Sequence, residues 1–172
     1  MFESLRDAGS QGFVRLWQRF RPGALAAGLS TLLHSLRFSD GQGQLWPLRV
    51  LTTDEALGKP LKAVGCAVVV KPQLDEQARL SVDALCVLIK KSDLPVELDR
   101  HIEQVRSDGM IIVCSRAGRI PRHAVTATLL HAGLVDIVQT AAGRYLLTAG
   151  RVLPRLGEPR RPRHRVEEQA QE

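Results

Sequence analysis

Residues 81–152 carry the most regular succession of apolar and polar segments in the chain. Val82–Ile89 is a nearly unbroken apolar run, as is typical of a strand that is covered on both faces. The next segment begins with Pro95, has apolar residues at helical spacing and ends at Gly109, which predicts a helix. Residues 110–114 form a second apolar run. A strand, a helix and a strand in this order predict a parallel pair.

The same segment continues with a second predicted helix, over residues 121–133. Its expected core-facing residues are Val125, Leu129 and Leu130. Two short strands, at residues 135–140 and 144–148, are joined by the tripeptide 141–143, Ala-Ala-Gly, which is a hairpin signal. The sequence therefore predicts an α/β fold, with a mainly parallel sheet that is flanked by helices and closed by a C-terminal antiparallel hairpin.

The N-terminal segment, residues 1–37, is helical in pattern and has two apolar stripes separated by Pro22. Six of the seven aromatic residues lie within the first 46 positions, so aliphatic residues must fill the α/β core. We expect residues 1–37 to form a helical cap whose Trp17 and Leu29 are buried against it, because large exposed apolar stripes are rare. An amphipathic helix that lies on a membrane or contacts a partner is the alternative.

The rest of the chain divides into a short α/β portion and a tail. Strand-like runs at residues 48–52 and 66–70 flank a brief helix that begins at Asp54 and ends at Gly65. With the segment described above, they complete an expected α/β domain over residues 38–153. Residues 154–172 are rich in proline, arginine and glutamate and have no apolar periodicity, which predicts a disordered basic and acidic tail.

Composition narrows the class of protein only slightly. A chain of 172 residues with 44% hydrophobic residues is long enough for one globular domain, and its net charge of +6 permits an acidic partner. The three cysteines lie in separate apolar runs, which favours buried thiols in a reducing compartment and argues against a metal site. We expect a cytoplasmic protein, since the sequence has neither a secretory signal pattern nor an apolar stretch of about 20 residues that could cross a bilayer.

The order of elements in residues 81–152 resembles the C-terminal half of a class I S-adenosylmethionine-dependent methyltransferase. In that family, an apolar strand that begins with a "VD" or "FD" pair precedes a helix ending in glycine, a strand, a helix ending in "AGL" or "AGF" and a closing hairpin. The counterparts here are Val82-Asp83, Asp108-Gly109, Ala132-Gly133-Leu134 and the predicted hairpin. The resemblance implies a Rossmann-like sheet.

The family's cofactor site combines a glycine-rich loop after the first strand with an acid at the end of the second strand, which holds the ribose. Asp40, Gly41 and Gly43 form the one Asp-Gly-x-Gly run in the chain. If residues 36–38 were the first strand, Asp54 would hold the ribose, but too few residues follow for a crossover helix. If residues 48–52 were the first strand, Asp54 and Glu55 would face the cofactor, and one βα unit would be missing.

Because both alignments leave the cofactor site incomplete, we expect a degenerate, non-catalytic member that binds no cofactor. It would serve as an interaction or scaffold and regulatory module, with a protein partner or a second copy of itself. A divergent methyltransferase that binds S-adenosylmethionine through Asp40, Gly41, Gly43 and Asp54 is the alternative from the enzyme class.

A third hypothesis is nucleic-acid binding through a basic loop and the basic tail. Arg116, Arg119 and Arg122 lie between a strand and the start of a helix, where guanidinium groups and backbone donors can converge on an anion. The helix over residues 121–133 and the hairpin after it also resemble the helix and wing of a winged helix.

Overall fold

The computed structural model describes residues 23–36, 47–70, 82–90 and 94–157. Four α-helices are defined within these ranges: α1 Ala24–His34, α2 Gly58–Ala63, α3 Leu94–His101 and α4 Arg122–His131. The strands are β1 Arg49–Thr52, β2 Ala67–Val70, β3 Val82–Ile89, β4 Val105–Arg116, β5 Val135–Ala142 and β6 Tyr145–Arg151. Short 3-10 helices, Glu55–Leu57 and Ile102–Gln104, precede α2 and β4.

The strands form one six-stranded sheet in the order β2-β1-β3-β4-β6-β5. Strands β2, β1, β3 and β4 are parallel, whereas β6 runs antiparallel to both β4 and β5. The predicted α/β class, the mainly parallel sheet and the C-terminal antiparallel hairpin are therefore confirmed. Strand β3 occupies an interior position between β1 and β4, as its unbroken apolar sequence indicates.

Helices cover both faces of the sheet, and the two faces form separate apolar clusters. Leu29, Leu33 and Leu61, from α1 and α2, pack with one set of alternating strand residues. Leu98 and Leu129, from α3 and α4, pack with the other set. This division follows from the strand geometry, which points successive side chains to opposite faces.

Helix α1 lies unusually close to the sheet. A Cβ atom added at Gly28 would stand 2.7 Å from Cβ of Ala142 and 2.8 Å from Cδ1 of Leu147, so only glycine fits this approach. Leu29 is completely buried, as predicted. Trp17 lies outside the described residues, and the division of the chain into a cap, a domain and a tail stays a prediction.

The predicted helix over residues 95–109 is too long. Helix α3 ends at His101, and β4 already begins at Val105 because that residue pairs with Val82. The strand then bulges, with Asp108 in the left-handed region at φ 61°. Gly109 is therefore a strand residue, and a Cβ atom there would stand 2.8 Å from the carbonyl oxygen of Asp83.

Three smaller predictions are also corrected. Leu130 is 56% exposed, because the buried face of α4 is defined by Val125 and Leu129. The hairpin turn consists of Gly143 and Arg144, since pairing extends to Ala142 opposite Tyr145. Arg155, which the sequence pattern assigns to the disordered tail, is anchored to the domain. Its backbone N–H donates to Ser107 Oγ at 2.8 Å and its guanidinium donates to the carbonyls of Ile102 and Glu103, so it belongs to the fold.

The amino-terminal edge of the sheet is held by Asp83 of the "VD" pair. This side chain is buried, and its Oδ2 accepts a hydrogen bond of 2.8 Å from the backbone N–H of Arg49. Its Oδ1 lies 3.5 Å from the guanidinium of Arg106. Asp83 thus links β1, β3 and β4 at the edge opposite to the strand carboxyl ends.

In the described part of the chain, no helix is long and apolar enough to span a membrane.

Candidate functional site

The connections of the sheet create one topological switch point. From β1 the chain proceeds to β2 on one side, and from β2 it returns to β3 on the other side of β1. In open α/β sheets, ligands bind at such a point, in the crevice outside the carboxyl ends of the strands. The crevice here lies between the ends of β1 and β3, beyond Thr52 and Ile89.

An ion pair spans this switch point. Lys90, which follows β3, places its Nζ 2.6 Å from Oδ2 of Asp54, which follows β1. The other carboxylate oxygen of Asp54, Oδ1, accepts the backbone N–H of Ala56 at 2.8 Å and so caps the 3-10 helix. The hydrogen bond from Lys90 is the main cause that lowers the pKa of Asp54, with partial burial opposing it. Both carboxylate oxygens are therefore engaged within the protein.

The strand pairing decides between the two alignments of the cofactor site. Strand β1 pairs with β2 along one edge and with β3 along the other, so no strand over residues 36–38 can lie between β1 and β3. That alignment is wrong, and β1 occupies the place of the first strand. Asp40, Gly41 and Gly43 lie outside the described residues. Their role in cofactor binding stays a prediction, as does that of Asp54.

The loop after β1 has a single glycine, and the backbone does not require it. Gly58 has an ordinary helical φ of −60°, and a Cβ atom there would meet only Val70, at 3.9 Å. After β2 the chain continues with Lys71 and Pro72, where the family pattern has an acid. The strands β1 and β2 have four residues each, and α2 between them has six.

A second feature of the same sheet edge is a basic pocket of about 80 Å³. Arg116 ends β4, Arg122 begins α4, and both line the pocket together with Gly143 and Tyr145 of the hairpin. The structure therefore brings together Arg116 and Arg122 of the predicted anion-binding loop. All three arginines are exposed, but Arg119 does not line the pocket.

The sequence pattern does not identify Tyr145 as part of this site, nor Arg144 as its neighbour. Tyr145 reaches it because β6 returns antiparallel to β4 and pairs it with Arg116. Arg144 stacks on the Tyr145 ring, with its guanidinium carbon 5.4 Å from the ring centroid. The sequence signal that could have indicated Tyr145 is the predicted hairpin, because its second strand needs a partner in the sheet, and β4 is that partner.

The winged-helix interpretation is wrong. Strand β4 immediately precedes the loop to α4, and the hairpin of β5 and β6 continues the main sheet through β4 instead of projecting as a wing. The three cysteines, Cys66, Cys86 and Cys114, are buried, and none of them is part of a disulfide. Within the described ranges, no group of three histidine, cysteine, aspartate or glutamate side chains could hold a metal ion.

No protein-family model matches this sequence, and no curated protein matches it either. Solved structures do match its fold. The chain is similar to phosphoethanolamine N-methyltransferase 2 of Haemonchus contortus, in complex with phosphomonomethylethanolamine and S-adenosylhomocysteine, with 15% identity and a TM-score of 0.50. This match covers 77% of the chain but only 38% of the methyltransferase.

Two further matches have similar scores. A possible exported protein from Bordetella parapertussis has 12% identity and a TM-score of 0.50, over 74% of this chain and 67% of that one. Human N-acetylserotonin methyltransferase, in complex with S-adenosylmethionine, has 17% identity and a TM-score of 0.48, over 62% and 48% of the two chains. The chain has a class I methyltransferase-like fold, and it spans well under half of the first of these proteins.

Proposed function

We propose that this chain is a methyltransferase-like domain that does not catalyse methyl transfer and acts as an interaction or scaffold module. The observation that carries the proposal is the ion pair between Asp54 and Lys90, which occupies the switch point where a cofactor would bind. Fold alone does not fix chemistry, so the argument rests on this site.

A nucleotide-like cofactor needs close backbone approach, a helix N-terminus and an acid for its ribose hydroxyls. The loop after β1 supplies one glycine and leads into short helices. The end of β2 is followed by a lysine in place of the acid. Asp54, a described acid at the crevice, is already paired with Lys90 and with the backbone of Ala56. A cofactor would have to displace these contacts without a complete set of replacements.

Calorimetric titration with S-adenosylmethionine and S-adenosylhomocysteine tests this proposal. We expect no binding tighter than about millimolar, which corresponds to about −4 kcal/mol. Micromolar binding that is lost in Asp54→Ala would overturn the proposal. Asp99→Ala is the control, because Asp99 is an exposed carboxylate of α3 and does not belong to the loop after β1.

A divergent S-adenosylmethionine-dependent methyltransferase is the second candidate, and the position of Asp54 and Lys90 at the switch point favours it. In that case the ion pair would close a divergent site that opens when the cofactor binds. The variant Lys90→Ala separates the two functions, because it frees the Asp54 carboxylate. Binding of S-adenosylmethionine by Lys90→Ala but not by the native chain would support a site closed by the ion pair, whereas binding by neither supports the interaction module.

A further inference from the structure

The basic pocket concentrates positive charge that no described carboxylate neutralises. Arg116 ends β4, Arg122 begins α4, and Arg119 lies in the loop between them, while Arg144 lies in the hairpin turn. Within the described residues, none of these four arginines forms an ion pair. The residues that line the pocket include no aspartate or glutamate. Guanidinium groups held near one another repel, so an anion placed between them is electrostatically favoured.

The walls of the pocket are fixed by the fold. Ser115 is buried at the end of β4, and its hydroxyl donates to the carbonyl of Leu146 at 3.4 Å. Gln139 donates from Nε2 to the carbonyl of Arg122 at 3.2 Å and so ties the first turn of α4 to β5. Arg116 and Arg122 therefore extend from anchored backbone positions, which lowers the entropy cost of placing them around a ligand.

We infer that this pocket binds a terminal phosphate monoester. Its volume of about 80 Å³ is several times the roughly 10–15 Å³ that one water needs, and it suits a small polyatomic anion. Arg116 and Arg122 supply planar forks of donors that match phosphate oxygens. Tyr145 supplies a hydroxyl. The pocket has one aromatic ring and so lacks the series of stacking surfaces with which proteins track a nucleic-acid strand.

This inference extends the proposed function, since it gives the interaction module a chemistry of recognition, namely a phosphorylated group on its partner. The two can fail separately, because the phosphate pocket lies beside β4 and β6 while the cofactor crevice lies between β1 and β3. A chain that binds S-adenosylmethionine can still bind phosphate, and the reverse also holds.

Titration of the full chain with a phosphoserine peptide, inorganic phosphate and the unphosphorylated peptide tests the inference. We expect the phosphoserine peptide and phosphate to bind and the unphosphorylated peptide not to bind. Arg116→Gln and Arg122→Gln should each weaken binding about tenfold or more, since a hydrogen bond to a charged group contributes that much. Arg119→Gln is the matched control and should change affinity less than about twofold, because Arg119 is as exposed as Arg116 and Arg122 but does not line the pocket.

Two further measurements make the test decisive. Affinity for the phosphoserine peptide should fall as pH decreases through about 6, where the monoester loses its second negative charge. Arg122→Lys retains the charge without the planar fork, so it should restore binding only in part. Thermal melts of each variant verify that the fold persists.

Three results would overturn the inference. One is equal weakening by the Gln variants at positions 116, 119 and 122, which indicates a diffuse basic rim. Another is a folded native chain that binds neither phosphate nor the phosphoserine peptide at a ligand concentration of about 10 mM, which means an affinity weaker than millimolar. The third is salt-sensitive binding of a single-stranded oligonucleotide that Arg116→Gln and Arg122→Gln abolish while the phosphoserine peptide does not bind, which indicates a nucleic-acid surface at this pocket.

Discussion

The two halves of the sheet, β2 and β1 on one side and β3 to β6 on the other, differ in the length and burial of their strands. Strand β4 has 12 residues, and its central part is fully buried, whereas β2 has four residues and none of them is buried. Strand β3 is buried over seven of its eight residues, and β6 over five of seven. Most of the buried strand residues therefore lie within residues 82–152, while β1, α2 and β2 are short elements. The short elements β1, α2 and β2 are the ones that lie beside the crevice where a cofactor would bind.

Glycine substitutions provide the largest expected contrast between the two halves of the sheet. In Gly109→Ala, the new Cβ would stand 2.7 and 2.8 Å from the backbone oxygens of Arg106 and Asp83, which cannot rotate away. We expect a loss of about 3 kcal/mol in the free energy of unfolding, the upper end of overpacking effects. Urea unfolding curves measure it.

Gly58→Ala, in the half that contains β1 and β2, is the matched control. Its Cβ has room and its φ is helical, so we expect a gain of about 0.4–1 kcal/mol through lower entropy of the unfolded chain. If both substitutions destabilised the chain equally, the packing contrast between the two halves would be wrong.

A pair of valines on the same face of the sheet gives the next largest effect. Val113 of β4 is completely buried, whereas Val69 of β2 is only partly buried at the margin of the same apolar cluster. We expect Val113→Ala to cost about 2 kcal/mol and Val69→Ala less than about 1 kcal/mol, because the buried apolar surface and the residual cavity differ. Thermal or urea unfolding of the two variants checks this. Equal losses would show that β2 contributes as much to the core as β4.

The smallest expected change in the free energy of unfolding concerns Asp54. Two substitutions at this position separate the contribution of the helix cap from that of the ion pair. Asp54→Ala removes both and should cost about 1 kcal/mol, the typical value of a helix cap. Asp54→Asn retains the capping oxygen and loses only the ion pair with Lys90, so it should cost less, since solvent screens the pair.

The pH dependence of Asp54→Asn follows from the lowered pKa of Asp54. A depressed carboxyl pKa gives stability that is present above the unfolded value of 3.8 and is lost as pH falls through the folded pKa. Unfolding measurements at pH 7 and pH 3 should therefore show a small difference between Asp54→Asn and the native chain at pH 7 and a smaller one at pH 3. A difference that grows at low pH would contradict the assignment of the ion pair.

The sequence pattern was reliable where one physical cause dominated. The unbroken apolar run of Val82–Ile89 coincides with β3, and Asp54 and Gly65 mark the ends of the short helical segment as predicted. It failed at residues 102–109, because Val105 fits a helical stripe as well as a strand, and pairing with Val82 decides the outcome.

The candidate sites were less accessible to sequence reasoning, because both depend on contacts between distant segments. Asp54 and Lys90 meet only because β1 and β3 are neighbours. Tyr145 joins Arg116 only because β6 folds back along β4. Local patterns placed Arg116, Arg119 and Arg122 in one loop, but only the tertiary structure separates Arg119 from the pocket.

The buried cysteines have a practical consequence. Cys66, Cys86 and Cys114 all lie in the apolar cluster that α1 and α2 cover, and burial raises the pKa of Cys114 to about 12. Since the thiolate is the reactive form, alkylating reagents at neutral pH should modify these side chains only when that layer separates from the sheet. The rate of alkylation, followed by mass spectrometry, therefore measures how often the native chain opens transiently at this layer.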